Sequence, residues 1–576
     1  MESGRNGRRR APRVLGVLTL AVTAVVASSA TAQGAADDPA QRASAAEYVV
    51  AFSGPPGEAT AAIEAAGGTV RDVTEQVGIA RVSSADGAFA DRLREQAVID
   101  GVARNHAVGT QRPGMPHRFA EERPAPAGPT QEERPGDAHR PQVTGPGAEP
   151  LADRQWDMAL IGATSDGAHR QATGQGVDVG IIDTGIDGTH PDIAPNFDGS
   201  RSVNFTTDIP EIDGPCEFAG CVDPADVDGD GHGTHVAGTV AAAANGFGIA
   251  GVAPGATLVD VRAGQDSGYF FLYETVNALV YAGDIGLDVV NMSFYTDPWA
   301  FNCTSPEEYI VGDVTAAEIA EQRLVHDLVL EAAAYASGHG VTLVGAAGNA
   351  AMDLAAPTRT DLSSPDFPPG AARPRTVANT CLDLPSEAPE VISVSSVGPS
   401  TTKADYSNYG LGDVEIAAPG GWFSDLIGTP AFQTPENLVL SSYPVAAAIE
   451  QGLADPDGNP ADARSVQYCD PAGMCGFYTY LQGTSMASPH VAGVAALIVD
   501  RYGAATADGG KALDPAEVGR VLATTATDHA CPAGGVEDYT DEGAPPEVNA
   551  ACVGTTEFNG FYGEGIVDAA AAVAAP

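Results

Sequence analysis

The sequence predicts an α/β domain around a mostly parallel sheet, preceded by a small α+β unit. Three observations carry that prediction. Short apolar runs at 177–182, 257–261, 289–292 and 341–346 recur through the second part of the chain. Stretches of helical composition separate them, at 232–244, 273–286 and 324–337. Ahead of both, residues 47–105 alternate strand and helix signals and are set off by a proline-rich stretch. Strands covered on both faces read as continuous apolar runs, and their alternation with helices gives parallel crossovers.

From the N-terminus, the chain of 576 residues first shows an export signal. Arg5, Arg8, Arg9, Arg10 and Arg13 precede the apolar run 14–27, and Ala30-Thr31-Ala32 offers a small-residue cleavage site. The run is too short to span a bilayer, and the arginines suit either the general or the twin-arginine route. Residues 1–32 are therefore expected to be a signal peptide, and the protein to be secreted and extracellular. Acidic residues outnumber basic ones 76 to 29, for a formal charge of −47. Such a surface repels phosphates, so no nucleic acid and no stable membrane association is expected. A monomer is expected. Lys403 and Lys511 are the only lysines, which reads as a compositional bias toward Arg and Ala.

Residues 47–105 resolve into six elements. A strand at 48–52 is followed by a helix that Pro56 can open and Gly67-Gly68 stops. Strands at 69–73 and 78–82, a helix at 88–96 and a strand at 98–102 complete a βαββαβ order, that of a ferredoxin-like sandwich. A linker over 111–150, rich in proline and poor in large apolar residues, should be extended or disordered. The α/β domain occupies 151–576, with its site expected at the carboxyl ends of the strands. Segments 206–227, 296–322, 352–388 and 421–480 read as surface insertions.

Eight cysteines, all after residue 200, suit an oxidising destination. They permit 105 pairings. Closeness in sequence favours Cys216–Cys221, Cys469–Cys475 and Cys531–Cys552, leaving Cys303–Cys381. None has metal-finger spacing.

The chemistry lies in three segments. Asp183 ends the apolar run 177–182; His232 opens Gly231-His232-Gly233-Thr234-His235; Ser485 stands among small residues in Gly483-Thr484-Ser485-Met486-Ala487-Ser488-Pro489. Small neighbours let a carbonyl carbon approach a hydroxyl. A base beside the nucleophile, held in one tautomer by an acceptor behind it, completes a proton-transfer set. His235 and His490 read as packed histidines.

These motifs, in the order Asp, His, Ser, resemble those of the subtilisin-like serine peptidases. Gly251-Val252-Ala253-Pro254-Gly255, Ala417-Ala418-Pro419-Gly420 and Gly563-Glu564-Gly565-Ile566 also match, so the resemblance covers about 155–572. The chain order differs from that of α/β-hydrolases, where serine comes first. The resemblance implies a three-layer subtilisin-like domain with Asp183, His232 and Ser485 as catalytic triad. It implies Asn349, in Gly345-Ala346-Ala347-Gly348-Asn349, as a donor to the oxyanion. It implies that Ser293, Phe294 and Gly348 line the substrate, although Asn291-Met292-Ser293-Phe294-Tyr295 departs from the family's Ser-Leu-Gly-Gly pattern.

A structural calcium ion is implied at Asp192 and Asn245, with carbonyls of 243–249 and only a shifted N-terminal match in Asp153. Asp223, Asp226, Asp228 and Asp230 are alternatively a second ion site or a solvated loop. The 33–110 segment resembles the propeptides that assist folding of these peptidases and inhibit them as intramolecular partners. The expected function is a secreted, self-processed serine endopeptidase acting on polypeptides without a catalytic cofactor. The competing reading is a catalytically silent binding or scaffold protein, which predicts a missing triad member; none is missing.

Overall fold

The computed structural model describes residues 46–105, 140–141, 148–361, 373–507 and 509–575. The expected signal peptide and most of the linker lie outside the described residues.

The N-terminal unit runs β1 (Ala46–Phe52), α1 (Pro56–Ala65), β2 (Thr69–Thr74), β3 (Ile79–Ser84), α2 (Phe89–Arg94) and β4 (Ile99–Arg104). Its antiparallel sheet has the order β2-β3-β1-β4, the ferredoxin-like arrangement. The two-residue period of β1 divides its side chains. Tyr48, Val50 and Phe52 pack with Ile63, Phe89 and Leu93 under the unit's own helices. Val49 and Ala51 belong instead to the core of the larger domain, with Leu272, Tyr273, Leu324 and Leu328. The strand is apolar on both faces because both faces are covered.

The larger domain is built on seven parallel strands: β5 (Asp178–Ile182), β6 (Val203–Asn204), β7 (Thr257–Arg262), β8 (Val289–Met292), β9 (Thr342–Ala346), β10 (Val391–Val397) and β11 (Ile416–Pro419). Their order is β11-β10-β9-β8-β5-β7-β6. Alternate side chains feed two cores. Val179, Ile181, Val289 and Val344 meet α3 (His232–Ala241) and α6 (Thr484–Tyr502). Ile182, Val290 and Leu343 meet α4 (Leu272–Asp284) and α5 (Ala316–Gly338) on the other face. The result is the expected three-layer α/β domain.

The insertions carry small sheets of their own, at Tyr309–Val311, Thr358–Asp361 and Arg375–Ala378, and at Val439–Ser442, Ser465–Cys469 and Cys475–Leu481. All four disulfides form in the pairing expected from the sequence. The end of the stretch read as linker lies on the larger domain, where Arg140 Nε donates to Asn437 Oδ1 at 2.9 Å. Just past it Leu151, the first residue expected in that domain, donates its N–H to the Gly248 carbonyl at 2.8 Å.

Candidate active site

Strand register sets the site. Ile182 of β5 pairs with Met292 of the neighbouring β8, so Asp183 and Ser293 leave the sheet side by side at its carboxyl end. Asp183 is fully buried. Its backbone carbonyl accepts from the N–H groups of Ala263 (3.1 Å) and Gly264 (3.0 Å), which fixes the turn. Its Oδ1 accepts from the Thr184 N–H at 2.8 Å and from His232 Nδ1 at 2.7 Å. With Nδ1 holding the proton, the Nε2 of a neutral imidazole is the basic nitrogen.

His232 is the first residue of α3, and two orphan N–H groups of that first turn, those of His232 and Thr234, are satisfied by acids, while the Gly233 N–H donates to the Thr184 hydroxyl oxygen at 3.0 Å. Asp228 accepts from the Gly231 N–H, the Thr234 N–H and the Thr234 hydroxyl, and also from the Thr184 hydroxyl. Asp230 accepts from the His232 N–H. Carboxylates are favoured at a helix N-terminus. Asp228 thereby ties the turn after β5 to the start of α3. Gly231 (φ +101°) has no room for a side chain, since a Cβ would come 2.3 Å from the Tyr443 ring.

Ser485 lies in the first turn of α6, 3% exposed, and its hydroxyl donates to the Ser293 carbonyl at 3.3 Å. Pro489, four residues on, has no N–H for the Ser485 carbonyl. The Ser293 hydroxyl supplies the donor instead, at 3.0 Å, and lies 2.9 Å from Ser488 Oγ. Ser293 is thus 1% exposed and braces the helix with its side chain, while its backbone meets the Ser485 hydroxyl. Phe294 is also buried and stacks on Phe270, with ring centroids 4.0 Å apart.

Asn349 follows β9. Its Oδ1 accepts from the Thr484 N–H (2.8 Å) and hydroxyl (2.9 Å), so the carboxamide is oriented with its NH2 as the remaining end. Gly348 (φ +95°) donates its N–H to Thr484 Oγ1, and a Cβ there would meet Asn408 Nδ2 at 2.5 Å. Asn408, which sequence reasoning missed, accepts from the Ala350 and Met352 N–H groups and donates to the Ala347 carbonyl. An Asn among polar residues, far from any motif, gives no signal of that role.

The two other histidines of the motifs, His235 and His490, are packed. His235 Nε2 faces the carbonyls of Val439 and Thr479, and burial pushes the ring down to about 3. His490 bridges the Met486 carbonyl and Asp157 in full burial.

Asp192 is buried, and its Oδ2 accepts from the Ile249 N–H at 3.0 Å and the Tyr478 hydroxyl at 2.7 Å. Asp192 Oδ1 is buried without a hydrogen-bond partner, as is Glu149 Oε2. Burial and the nearby Glu149 charge push Asp192 up to about 7. Asn245 Oδ1 accepts from the Phe247 N–H at 2.8 Å. The N-terminal acid beside Asp192 is therefore Glu149, not the exposed Asp153. The string 223–230 does not converge on one ion: Asp223 pairs with Arg262 at 2.8 Å, while Asp228 and Asp230 serve the start of α3.

The family model described as Subtilase family matches residues 174–560. Fervidolysin of Fervidobacterium pennivorans is 28% identical over 363 residues, covering 62% of this chain and 39% of that protein. Subtilisin DY of Bacillus licheniformis is 28% identical over 354 residues, covering 62% of this chain and 85% of that one. Among solved structures, an epidermin leader peptide processing serine protease of Staphylococcus aureus shares the fold, with a TM-score of 0.58 at 20% identity over 92% of this chain and 98% of that one. Fervidolysin's structure gives 0.51 at 20% identity, over 92% of this chain and 61% of that one. The chain belongs to the subtilase family of serine peptidases.

Proposed function

We propose that this chain is a secreted serine endopeptidase made as a self-processed proenzyme, with Asp183, His232 and Ser485 as its triad. The observation that carries the reading is the buried 2.7 Å contact between His232 Nδ1 and Asp183, at the sheet end that also holds Ser485. The Ser485 hydroxyl attacks the peptide carbonyl carbon and gives its proton to His232 Nε2. The tetrahedral oxyanion takes hydrogen bonds from the Asn349 NH2 and the Ser485 N–H. It collapses to an ester of Ser485 as His232 returns the proton to the leaving amine. Water, deprotonated by His232, then hydrolyses the ester. Asp183 keeps the ring in its tautomer and stabilises the imidazolium.

The substrate is a polypeptide, whose backbone would run beside Ser293, Phe294 and Gly348. Asp192, Asn245 and Glu149 offer only oxygen donors, two of them orphaned in burial, which fits a hard cation such as calcium. Bound there, calcium would stabilise the fold by neutralising paired acids; it takes no part in the reaction.

Residues 46–105 act as intramolecular inhibitor and folding partner. Their hold on α4 and α5 supports this: Asn105 accepts from the Tyr273 N–H at 2.9 Å and donates to Glu274 Oε2 at 3.0 Å, Gln76 donates to Asp284 at 2.7 Å, and Arg94 pairs with Glu321 of α5 at 3.8 Å. A template bound to the native state helps a large domain with many nonlocal contacts to fold. Expression in a host lacking other proteases tests the reading. The unaltered chain should yield a product starting within 111–150, and Ser485→Ala only the precursor. A shortened Ser485→Ala product would overturn self-processing.

A further inference from the structure

The insertion 206–227 is stitched to the turn that follows β7. Asp213 accepts from the Ile209 N–H (2.6 Å), the Ser267 N–H (3.1 Å) and the Ser267 hydroxyl (2.6 Å). Ile212 packs with Tyr269 and Phe271. The Asp208 N–H donates to the carbonyl of Cys221, which is bridged to Cys216.

Under this cover, carboxylate oxygens of Asp208, Glu217 and Asp266 lie within 4.8 Å of one another. Asp208 is 4% exposed, and neither of its carboxylate oxygens has a hydrogen-bond partner. Arg262, fully buried, is already committed to Asp223 at 2.8 Å and Asp266 at 2.7 Å. Burial and the charges of Asp223 and Asp266 push the Asp208 carboxyl up to about 7, the mark of acids crowded together. Hydrogen bonds or a cation normally answer such a group.

We propose that Asp208, Glu217 and Asp266 bind a calcium ion that clamps the 206–227 insertion onto the turn at 264–268. The donors are all oxygen, which selects a hard cation over zinc. Calcium bonds of about 2.3–2.6 Å place opposite ligands roughly 5 Å apart, and the three carboxylates fall within that span. Glu217 is exposed and gives the ion its way in, while the second Asp208 oxygen and water complete the shell. The burial of Asp208 favours an ion over a lysine or arginine side chain of a substrate. The clamp bears on catalysis indirectly, because the Ala263 and Gly264 N–H groups hold the Asp183 carbonyl just ahead of that turn.

The test is calcium stoichiometry by native mass spectrometry on the full-length Ser485→Ala chain, which does not depend on activity. Asp208→Asn and Glu217→Gln should each bind one calcium fewer than the parent. Combined with Asp192→Asn, each should lose one more ion than Asp192→Asn alone. Glu217→Gln alters an exposed side chain, so it reports even where Asp208→Asn fails to fold. Parent stoichiometry in Glu217→Gln and in folded Asp208→Asn would overturn the site. Unchanged stoichiometry with a weakened preference for basic substrate residues in the Ser485-bearing enzyme would also overturn it, and assign the acids to substrate recognition.

Discussion

The Ser293 hydroxyl donates to the carbonyl oxygen of Ser485, the acceptor that Pro489 leaves without its helical donor. The proline that shapes the first turns of α6 thus makes the serine's position depend on the strand beside Asp183. Ser293→Ala should lower the melting temperature, since a buried acceptor left unsatisfied costs about 1–3 kcal/mol. It should lower kcat more than KM, because the nucleophile loses its brace. Unchanged calorimetry and kinetics would contradict this coupling.

Asp183→Asn should lower kcat by about 10⁴-fold with the fold intact. The amide can donate to Nδ1, which moves the imidazole proton to Nε2 and removes the base. Steady-state hydrolysis of a peptide substrate, with circular dichroism as control, checks it.

Asn349→Ala should lower kcat by about 10²–10³-fold with KM nearly unchanged, the signature of a donor used in the transition state. Asn349→Asp keeps an acceptor for Thr484 while replacing the NH2 with an oxygen. It should therefore keep the melting temperature and still lose activity; retained activity would remove Asn349 from the oxyanion hole.

The hold of the N-terminal unit should weaken as pH rises. Glu274 is fully buried beneath that unit, and burial and the neighbouring Glu47 push its carboxyl up to about 7 from an ordinary 4.5. Asn105 and Arg81 oppose the shift. A carboxyl raised in the covered state binds its proton more tightly there than when exposed. Its contribution is thus fully present below about 4.5 and lost as pH climbs through about 7. Hydrogen-exchange protection factors of β1 and β4 in the Ser485→Ala precursor, taken relative to the base-catalysed rate of the free amide at each pH, should be smaller at pH 8 than at pH 5. Glu274→Gln should flatten that difference.

Much of the site was legible because its chemistry sits in short contiguous motifs at element ends. Asp183 after an apolar run, His232 opening a helix and Ser485 among small residues each carry a local signature. The small sandwich was legible from Gly67-Gly68 and from period-two strands. What escaped was assembled across the chain. Asp228 and Asp230 read as part of either a second ion site or a solvated loop, whereas the start of α3 uses them to hold its N–H groups. Glu149 sat in a proline-rich stretch read as linker, and only the fold of 243–249 brings it to Asp192. Asp208, Glu217 and Asp266 come from segments with no common spacing. Ser293 read as a substrate-facing residue, and its tie to α6 depends on Pro489, distant in sequence.

The most direct test of the central claim is labelling of the processed enzyme with a fluorophosphonate probe, followed by peptide mapping. The account predicts a single adduct on Ser485, abolished by Ser485→Ala and strongly slowed in His232→Ala and Asp183→Asn. An adduct on another residue, or labelling of Ser485 that persists at full rate without His232, would contradict it.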